Sequence, residues 1–400
     1  MTQNKIGLKT AVIIGINAMI GAGVLAIPTL LSSIVGPAGI ITTVLSIIFV
    51  LCIGLSFGRL AKLYSADGWS YAYPAKWAGH KVGIFSAFSY LFGIIVGMGF
   101  LAQQAGIWCN KVIPFLSPNV LGVIIITILT LLVLAGAKTS SWSQYLIVLF
   151  VLIPLVLTAI YCWGHFDINL VTPFMPYGFT SILRATPVVL FALLGFESIA
   201  SLFSIVENPE KNVPRAFVFS ISIVGIVYLL FFYGVLFAIP SKFFLQGIND
   251  PLSSVLNNFF PGATFLSILI FLGAVFGIVG TIHSMLWSIS ELFTNVLKQT
   301  KSKFIHKLID KNIWNKKVAV IKTSFLMILA AIFIKGGLLV SMTTLFIVPS
   351  YVFSIILLLF KKSEWKSGHN YITLIGLLGG GLLVYFAFTS SLSAFFKLFA

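Results

Sequence analysis

Two titratable side chains fall in the middle of long apolar stretches of this sequence. Glu197 lies within residues 184–206, and His283 lies within residues 262–291. A carboxylate at the centre of a bilayer is costly unless it is protonated, paired or facing a water-filled cavity, so Glu197 is a candidate for proton transfer or gating. The structural alternative is a permanently protonated acid that bonds a neighbouring carbonyl group. For His283, a gating role and a neutral buried ring are both open interpretations.

Two glycine-containing stretches could expose backbone groups at the same depth. Residues 21–23 read Gly-Ala-Gly, Pro28 follows, and Gly195 stands two residues before Glu197. A lone glycine in a membrane helix is usually a packing contact, but unwound backbone is tolerated there only where it lines a cavity or meets a ligand. N–H groups at the start of the outer half of the first span would attract a carboxylate. Carbonyl groups at the end of one half of the sixth span would attract an ammonium group, so together the two breaks suit an α-amino acid.

The composition excludes a soluble protein and indicates an all-α protein that crosses a membrane many times. The chain of 400 residues is 59% hydrophobic and 8% charged, with a mean hydropathy of +1.09. A soluble protein of this size cannot bury so much apolar surface. The net charge of +16 could suggest a nucleic-acid partner, but the basic residues cluster in short loops between apolar stretches. We therefore take the charge as topology information and predict no nucleic-acid partner.

The sequence offers no residue set for a metal, a cofactor or a covalent nucleophile. Cys52, Cys109 and Cys162 are scattered, without CxxC spacing, which indicates neither a metal site nor a disulfide framework. The HExxH, GxGD and Walker A motifs are also absent from the sequence. We predict no cofactor, no metal and no enzymatic activity.

Eleven apolar stretches approach or exceed the roughly 20 residues that a membrane-spanning helix needs. We place them at residues 8–33, 38–61, 83–106, 119–136, 142–163, 184–206, 215–239, 262–291, 318–334, 338–360 and 371–391. With the N-terminus inside, 20 of the 25 lysines and arginines fall on the cytoplasmic side and 5 outside. Basic residues concentrate on the inner side of membrane proteins. The sequence therefore predicts a multi-pass protein of the cytoplasmic (inner) membrane, with its C-terminus outside.

The spans divide into two sets of five with opposite orientations. Residues 1–163 would form the first five-helix repeat, residues 184–360 the second, and residues 371–391 an extra helix, all within one transmembrane domain over residues 1–400. The halves share no convincing residue-level similarity, so the repeat follows from topology alone. The first span of each set carries one of the weak stretches, and weak helices at matching positions of inverted halves indicate the substrate site of a transporter.

Four stretches of the sequence also carry the motifs of a known family. Residues 21–24 with Pro28 match its G-[SA]-G-[IV] stretch and following proline, and residues 36–38 match its G-P-[AG] turn. The stretch "YSADGWSYAYPAKWAGHKVGIFSAF" is similar to its Tyr-Pro-x-x-Gly-Gly-x-Tyr pattern. The stretch "FALLGFESIASLFSIVENPEKNVPRA" follows its F-x-G-[FV]-[ED]…E-x-x-N-P-x-[KR]-x-[IV]-P-x-A signature almost throughout. On these motifs the chain resembles the amino acid–polyamine–organocation (APC) superfamily of permeases, from about residue 6 to 360.

The resemblance implies the LeuT-type fold, with ten core helices in two inverted halves and broken first and sixth helices. It also implies which residues contact an amino acid substrate, mostly through backbone atoms: Ile20, Gly21, Ala22, Gly23, Val24, Phe191, Ala192, Leu194 and Gly195. Phe191 falls where relatives place an aromatic gate, and Glu197 matches an acid linked to proton coupling in some of them. His283 is the further gating candidate, and Met285 a further pocket candidate.

The sequence departs from the family at three points. Residues 57–60 read "FGRL", without the acid of the family's Tyr-Ala-Glu-Leu stretch. Some proton-coupled relatives carry a lysine in the fifth span, where this chain has Phe150 and Val151. One span follows the ten-helix core, where twelve spans in all are usual.

The pocket candidates are mostly apolar, which favours a neutral, hydrophobic amino acid as substrate. Besides the residues above they include Gly93, Gly97, Phe196 and Trp287. A cationic amino acid or polyamine exchanger is the alternative, with the cation held against the ring of Phe191 or Trp287. For coupling we prefer a proton or exchange, and the alternative is sodium held by hydroxyl groups such as those of Ser284 and Ser288. A channel or a non-transporting sensor is the alternative from another class, and the oligomeric state is not predicted.

Overall fold

The computed structural model describes residues 5–21, 23–65, 67–245, 252–300, 315–333, 336–361, 365 and 368–399. Within these ranges the regular secondary structure is helical. One isolated parallel β-bridge joins Ile6 and Val206. The helices are α1 (Leu8–Met19), α2 (Gly23–Ile34), α3 (Gly39–Leu63), α4 (Trp69–Ala78), α5 (His80–Asn110), α6 (Pro118–Leu134), α7 (Ala137–Trp163), α8 (Phe179–Ala192), α9 (Ser198–Ser201), α10 (Pro209–Ala238), α11 (Ser241–Leu245), α12 (Leu252–Phe259), α13 (Thr264–Gln299), α14 (Lys316–Phe333), α15 (Gly336–Ile356) and α16 (Asn370–Phe399).

Five helical segments among the described residues are long and apolar enough to cross a membrane without interruption. They are Gly36–Leu63, which adds a short 3₁₀ turn to α3, and the helices α5, α7, α10 and α13. Shorter apolar helices lie in five of the other predicted spans, and α14 lies in the span predicted at residues 318–334. Each of the eleven predicted stretches overlaps a helix or a pair of helices, so the all-α, multi-pass architecture is confirmed.

The first and sixth predicted spans are each divided into two helical pieces. The helices α1 and α2 have 12 residues each, about 18 Å at the usual rise per residue. Either piece alone is too short for a hydrocarbon core about 30 Å thick. The sixth span likewise divides into α8 and the single turn α9.

Large apolar side chains cover the outer surface of the bundle. On α6 and α7, Leu131, Trp142 and Leu146 are each more than half exposed. Such a surface suits lipid chains and not water. Fully buried aromatic side chains, among them Trp69, Tyr90 and Tyr228, lie inside.

Three short helices outside the predicted spans escaped the sequence analysis. The helix α4 lies between α3 and α5, while α11 and α12 precede α13. The first of these is anchored inward, because the Trp69 indole N–H donates to the Ser201 hydroxyl at 3.0 Å. Their apolar stretches are too short to stand out beside the spans.

Candidate functional site

The helix of the first span ends at the glycine-rich stretch. The last helical hydrogen bond of α1 runs from the Ile20 N–H to the Ile16 carbonyl at 2.9 Å. Ile20 itself has left the helical region, with φ −83° and ψ 81°, and α2 starts at Gly23. Ala22 lies outside the described residues. The predicted break is therefore present, and it leaves the carbonyl end of α1 and the N–H end of α2 facing the same region.

The second break centres on Gly195 and touches the first. Its φ of +115° is a torsion that side-chain-bearing residues rarely adopt. A Cβ at this position would lie 2.4 Å from the Ala18 carbonyl oxygen of α1. Only glycine therefore fits, and its absent side chain lets the two interrupted spans meet backbone to backbone.

One tyrosine bridges the two broken helices. The Tyr228 hydroxyl on α10 lies 3.2 Å from the Met19 carbonyl and 3.1 Å from the Ala192 carbonyl, and it donates toward both. These are carbonyls of the last residues of α1 and α8, which have no partner within their own helix. Tyr228 is fully buried, so it satisfies both helix ends where water is excluded. Sequence analysis missed this residue.

Glu197 is completely buried beside the second break. One carboxyl oxygen accepts a hydrogen bond from the Tyr90 hydroxyl at 3.1 Å, and the other accepts one from the Gly195 N–H at 3.0 Å. The second bond ties the carboxyl group to the backbone that forms the break. A change in the protonation of Glu197 would therefore act directly on the geometry of that break.

An aromatic cluster surrounds this acid. The Phe196 ring lies 5.8 Å from the Tyr351 ring, and Tyr90 lies 4.7 Å from Trp69, measured between ring centroids. The cluster excludes water from one side of Glu197 and leaves the other side toward the cavity described next.

A cavity of about 150 Å³ lies where the two breaks meet. Eight of the predicted site residues line it: Gly21, Val24, Phe191, Ala192, Leu194, Gly195, Glu197 and Met285. The helices α5, α13 and α15 close the remaining sides, through residues such as Ile94, Met98, Thr281, Thr343 and Ile347. No lysine, arginine or histidine is among the described residues that line this cavity.

Three other predicted site residues are described but are not part of the lining. Ile20 is fully buried behind the first break, and Gly23 begins α2. His283 is also fully buried, and neither ring nitrogen has a hydrogen-bond partner among the described residues. The structure therefore places His283 away from the cavity surface.

The remaining pocket candidates divide between packing and lining roles. A Cβ on Gly93 would lie 2.8 Å from the Ile347 side chain, and one on Gly97 equally close to Thr343. Both glycines therefore allow α5 to approach α15 closely, and Gly97 also lines the cavity. Trp287 instead lines a separate cavity with Glu291 and Lys316, whose charged groups form an ion pair at 2.8 Å.

A buried polar cluster joins α1, α7 and α13 next to the first break. The Asn17 side-chain amide donates to the Gln144 side-chain oxygen at 2.5 Å and to its carbonyl at 2.9 Å. The Ser284 hydroxyl donates to the same Gln144 side chain at 3.0 Å, and the Thr281 hydroxyl donates to the Asn17 carbonyl at 2.9 Å. Sequence analysis missed Gln144.

Phe150 and Val151, the fifth-span residues singled out from the sequence, do not take part in the polar contact between α7 and α1. The Phe150 side chain is 48% exposed on the outer face of the bundle and stacks on Phe276. Val151 is buried but apolar. The α7 side chain that contacts Asn17 of α1 is Gln144, six residues before Phe150 in the helix, and its amide is neutral.

Comparison with known proteins places the chain in a family. The model of the amino acid permease family matches residues 6–399. An uncharacterized transporter of Mycobacterium tuberculosis is 26% identical over 294 residues, which cover 72% of this chain and 64% of that protein. The aspartate-proton symporter of Bacillus subtilis is 27% identical over 61% of this chain and 50% of its own length. A chloroplastic cationic amino acid transporter of Arabidopsis thaliana is 25% identical over 72% of this chain and 54% of its own.

These matches extend over roughly half to two thirds of the length of the relatives. The family and the named relatives are transporters and not enzymes. The family model nevertheless covers almost all of this chain, including both helix breaks and the cavity between them. The chain therefore belongs to the amino acid permease family of multi-pass membrane proteins.

Proposed function

We propose that this permease is a secondary active transporter that carries a neutral, apolar amino acid by alternating access. The observation that carries the proposal is the cavity between the two helix breaks, which combines backbone polar groups with an apolar wall. The backbone polar groups match the carboxylate and the ammonium group that all α-amino acids share. The apolar wall then selects the side chain by its shape and polarity.

The helix ends determine how the substrate lies. The N-terminal end of α2 carries a partial positive charge, which favours the substrate carboxylate. The C-terminal end of α8 presents carbonyl groups for the ammonium group. The Phe191 carbonyl already accepts hydrogen bonds from the Leu193 and Leu194 N–H groups. The Ala192 carbonyl accepts one, from the Tyr228 hydroxyl, and has a second lone pair available for the ammonium group.

The size and lining of the cavity support an apolar side chain. A dry cavity of about 150 Å³ lined by aliphatic and aromatic residues holds a benzene molecule in another protein. The volume here is the same, which suits an amino acid with an apolar side chain. Phe191 and Met285 supply adaptable apolar surface.

A cationic amino acid or polyamine is the second candidate, favoured by the name of the Arabidopsis relative. A buried cationic side chain needs a carboxylate partner. Glu197 is the acid in the described lining, and both of its oxygens already accept hydrogen bonds. An acidic substrate, as in the name of the Bacillus relative, would lack a cation in the described lining.

Proton coupling or exchange through Glu197 is our proposal for the energy source. It is supported by the bond from the Gly195 N–H to this carboxyl group, which connects a titratable group to the break. The Bacillus relative is also named as a proton symporter. Sodium is the alternative: the Ser284 and Ser288 hydroxyls donate their protons to Gln144 and to the Met285 carbonyl, which leaves their oxygen lone pairs able to bind a cation.

The LeuT-type arrangement belongs to the same proposal. Residues 1–163 and 184–360 would form inverted repeats, with the N-terminus inside and the C-terminus outside the inner membrane. The contact between the two breaks supports this, since it brings the first helices of both halves together at one site.

A binding panel tests the substrate class. Purified protein is heated with single amino acids, because a ligand that binds the folded state raises the apparent melting temperature. We expect stabilisation by leucine, isoleucine, valine or phenylalanine and none by lysine, putrescine or aspartate. Stabilisation by lysine or putrescine alone would replace our proposal with the second candidate. Binding without flux in vesicles would favour a sensor, and ionic current far above carrier turnover would favour a channel.

A further inference from the structure

A second, larger cavity opens on the lipid-facing surface of the bundle. Its volume is about 1210 Å³, and the starts of α1 and α7 form its walls. We name it the α1–α7 groove and define it by Lys5, Gly7, Lys138, Trp142 and Leu146. Neither the transport proposal nor the family match assigns it a role.

One end of the groove is apolar and faces the membrane. Trp142, Leu146 and Leu149 lie one turn apart along α7 and are 65%, 56% and 52% exposed. In a helix, residues three and four apart share a face. In a bilayer this exposed apolar stripe would contact hydrocarbon chains.

The other end of the groove is basic. Lys5 and Lys138 are exposed, and among the described residues neither forms an ion pair. Glu207 also lines the groove and offsets one of the two positive charges. The remaining positive charge lies on the side that the distribution of basic residues assigns to the cytoplasm, where the membrane surface carries anionic lipids.

The starts of α1 and α7 add to the positive potential. The residues that precede them, Gly7 and Gly136, are glycines and provide no side-chain cap. Helix N-termini favour phosphate groups, and the Glu207 carboxylate is the acidic group near the start of α1 among the described residues that line the groove, 3.6 Å from where a Cβ on Gly7 would lie. The Thr10 and Tyr145 hydroxyls, 3.2 Å apart, bridge the two helices and supply further polar contacts.

We propose that the α1–α7 groove binds an anionic glycerophospholipid of the inner leaflet. Its phosphate lies near Lys5, Lys138 and the two helix starts, and one acyl chain follows the Trp142–Leu146–Leu149 stripe. The pairing of a basic end with an exposed apolar stripe in one groove matches the two ends of such a lipid. A free anion would use only the basic end, and a neutral lipid only the stripe.

The test is a lipid titration of the detergent-purified full-length protein. Dioleoylphosphatidylglycerol is added, and the melting temperature is compared with that in the same mole fraction of dioleoylphosphatidylcholine. We expect a larger shift with phosphatidylglycerol. At about 1 kcal/mol per lysine near an anionic surface, Lys138→Gln should weaken the apparent affinity roughly fivefold. Lys5→Gln with Lys138→Gln should weaken it roughly thirtyfold.

Lys62→Gln is the matched control, because Lys62 is an exposed lysine at the end of α3 outside the groove. It should leave the phosphatidylglycerol shift unchanged. If Lys62→Gln reduced the phosphatidylglycerol shift in melting temperature as much as Lys138→Gln does, the effect would be a general attraction of basic residues to anionic micelles. That result would overturn the proposal. An undiminished shift in the double variant would also overturn it, and so would an equal shift with inorganic phosphate alone.

A second measurement locates the acyl chain. Phosphatidylglycerol with brominated acyl chains should quench the part of the tryptophan fluorescence that Trp142→Phe removes, more strongly than brominated phosphatidylcholine does. Equal quenching by both lipids would mean that the stripe contacts bulk lipid only, which contradicts a bound phospholipid.

Discussion

At Gly195 the backbone torsion φ is +115°, and a Cβ would lie 2.4 Å from the Ala18 carbonyl oxygen. Such a torsion costs about 1–3 kcal/mol for a residue with a side chain, and the steric contact adds to this cost. A single methyl group at this residue should therefore force the two breaks apart without removing any polar contact.

We expect Gly195→Ala to lower transport at least about tenfold, since a change of 1.4 kcal/mol already gives that factor. Initial uptake rates in proteoliposomes measure the effect, and membrane insertion is checked by size-exclusion chromatography. Gly381→Ala is the control, because a Cβ there would meet no atom within 4 Å. Normal uptake by Gly195→Ala would mean that the contact between the breaks is not required.

Glu197→Gln tests the coupling role at the same scale. The amide keeps the size of the side chain but cannot release a proton. We expect uptake driven by an inward proton gradient to be lost, while exchange between loaded vesicles and external substrate continues. If uptake by the variant depends on pH as in the wild type, with full activity, Glu197 takes no part in coupling.

At the scale of the elements, Tyr228 connects the ends of α1 and α8. Tyr228→Phe keeps the ring and removes the single hydroxyl proton that the two carbonyls share, and a lost hydrogen bond is worth about 1 kcal/mol. We expect a lower melting temperature and a marked loss of substrate binding, measured in the thermal panel. Tyr233→Phe on the same helix is the control: its hydroxyl is also buried and bonds Thr43 at 2.7 Å, away from the breaks. Equal losses in both variants would reduce the role of Tyr228 to general packing.

The polar cluster around Gln144 links three helices at the first break. Gln144→Leu leaves the Ser284 hydroxyl without this acceptor and weakens the hold of Asn17 on α7. We expect a loss of about 1–3 kcal/mol in the free energy of unfolding, as for other buried unsatisfied groups, together with slower transport. Phe150→Leu, on the outer face of α7, should change neither quantity. A Gln144→Leu protein with wild-type stability would contradict this account.

The sequence allowed the spans and both breaks to be predicted, because hydropathy and glycine position are local signals. The residue Gly195 could be singled out next to Glu197, and the structure brings both to the cavity. Tyr228 and Gln144 could not, since a hydroxyl or amide within a span reveals its importance only through a distant partner. The partners lie 209 and 127 residues away along the chain, for Met19 and Asn17 respectively.

At the scale of the whole molecule, the two breaks, the acid and the lining form one apolar site inside a membrane-embedded bundle. The proposed transport site requires all of them to meet at one point. The same bundle carries a basic, lipid-facing groove beside α1. The helix α1 lines both the groove and the cavity between the breaks. We therefore expect it to contact both the bound lipid and the substrate site.

The central claim is that the cavity between the breaks carries a neutral, apolar amino acid. Counterflow in proteoliposomes tests it most directly: vesicles loaded with one unlabelled amino acid are diluted into a trace of labelled leucine, without any ion gradient. We predict transient accumulation of label in vesicles loaded with leucine, isoleucine, valine or phenylalanine, and none in vesicles loaded with lysine or aspartate. Absence of accumulation with every apolar amino acid, used both as the label and as the load, would contradict the account.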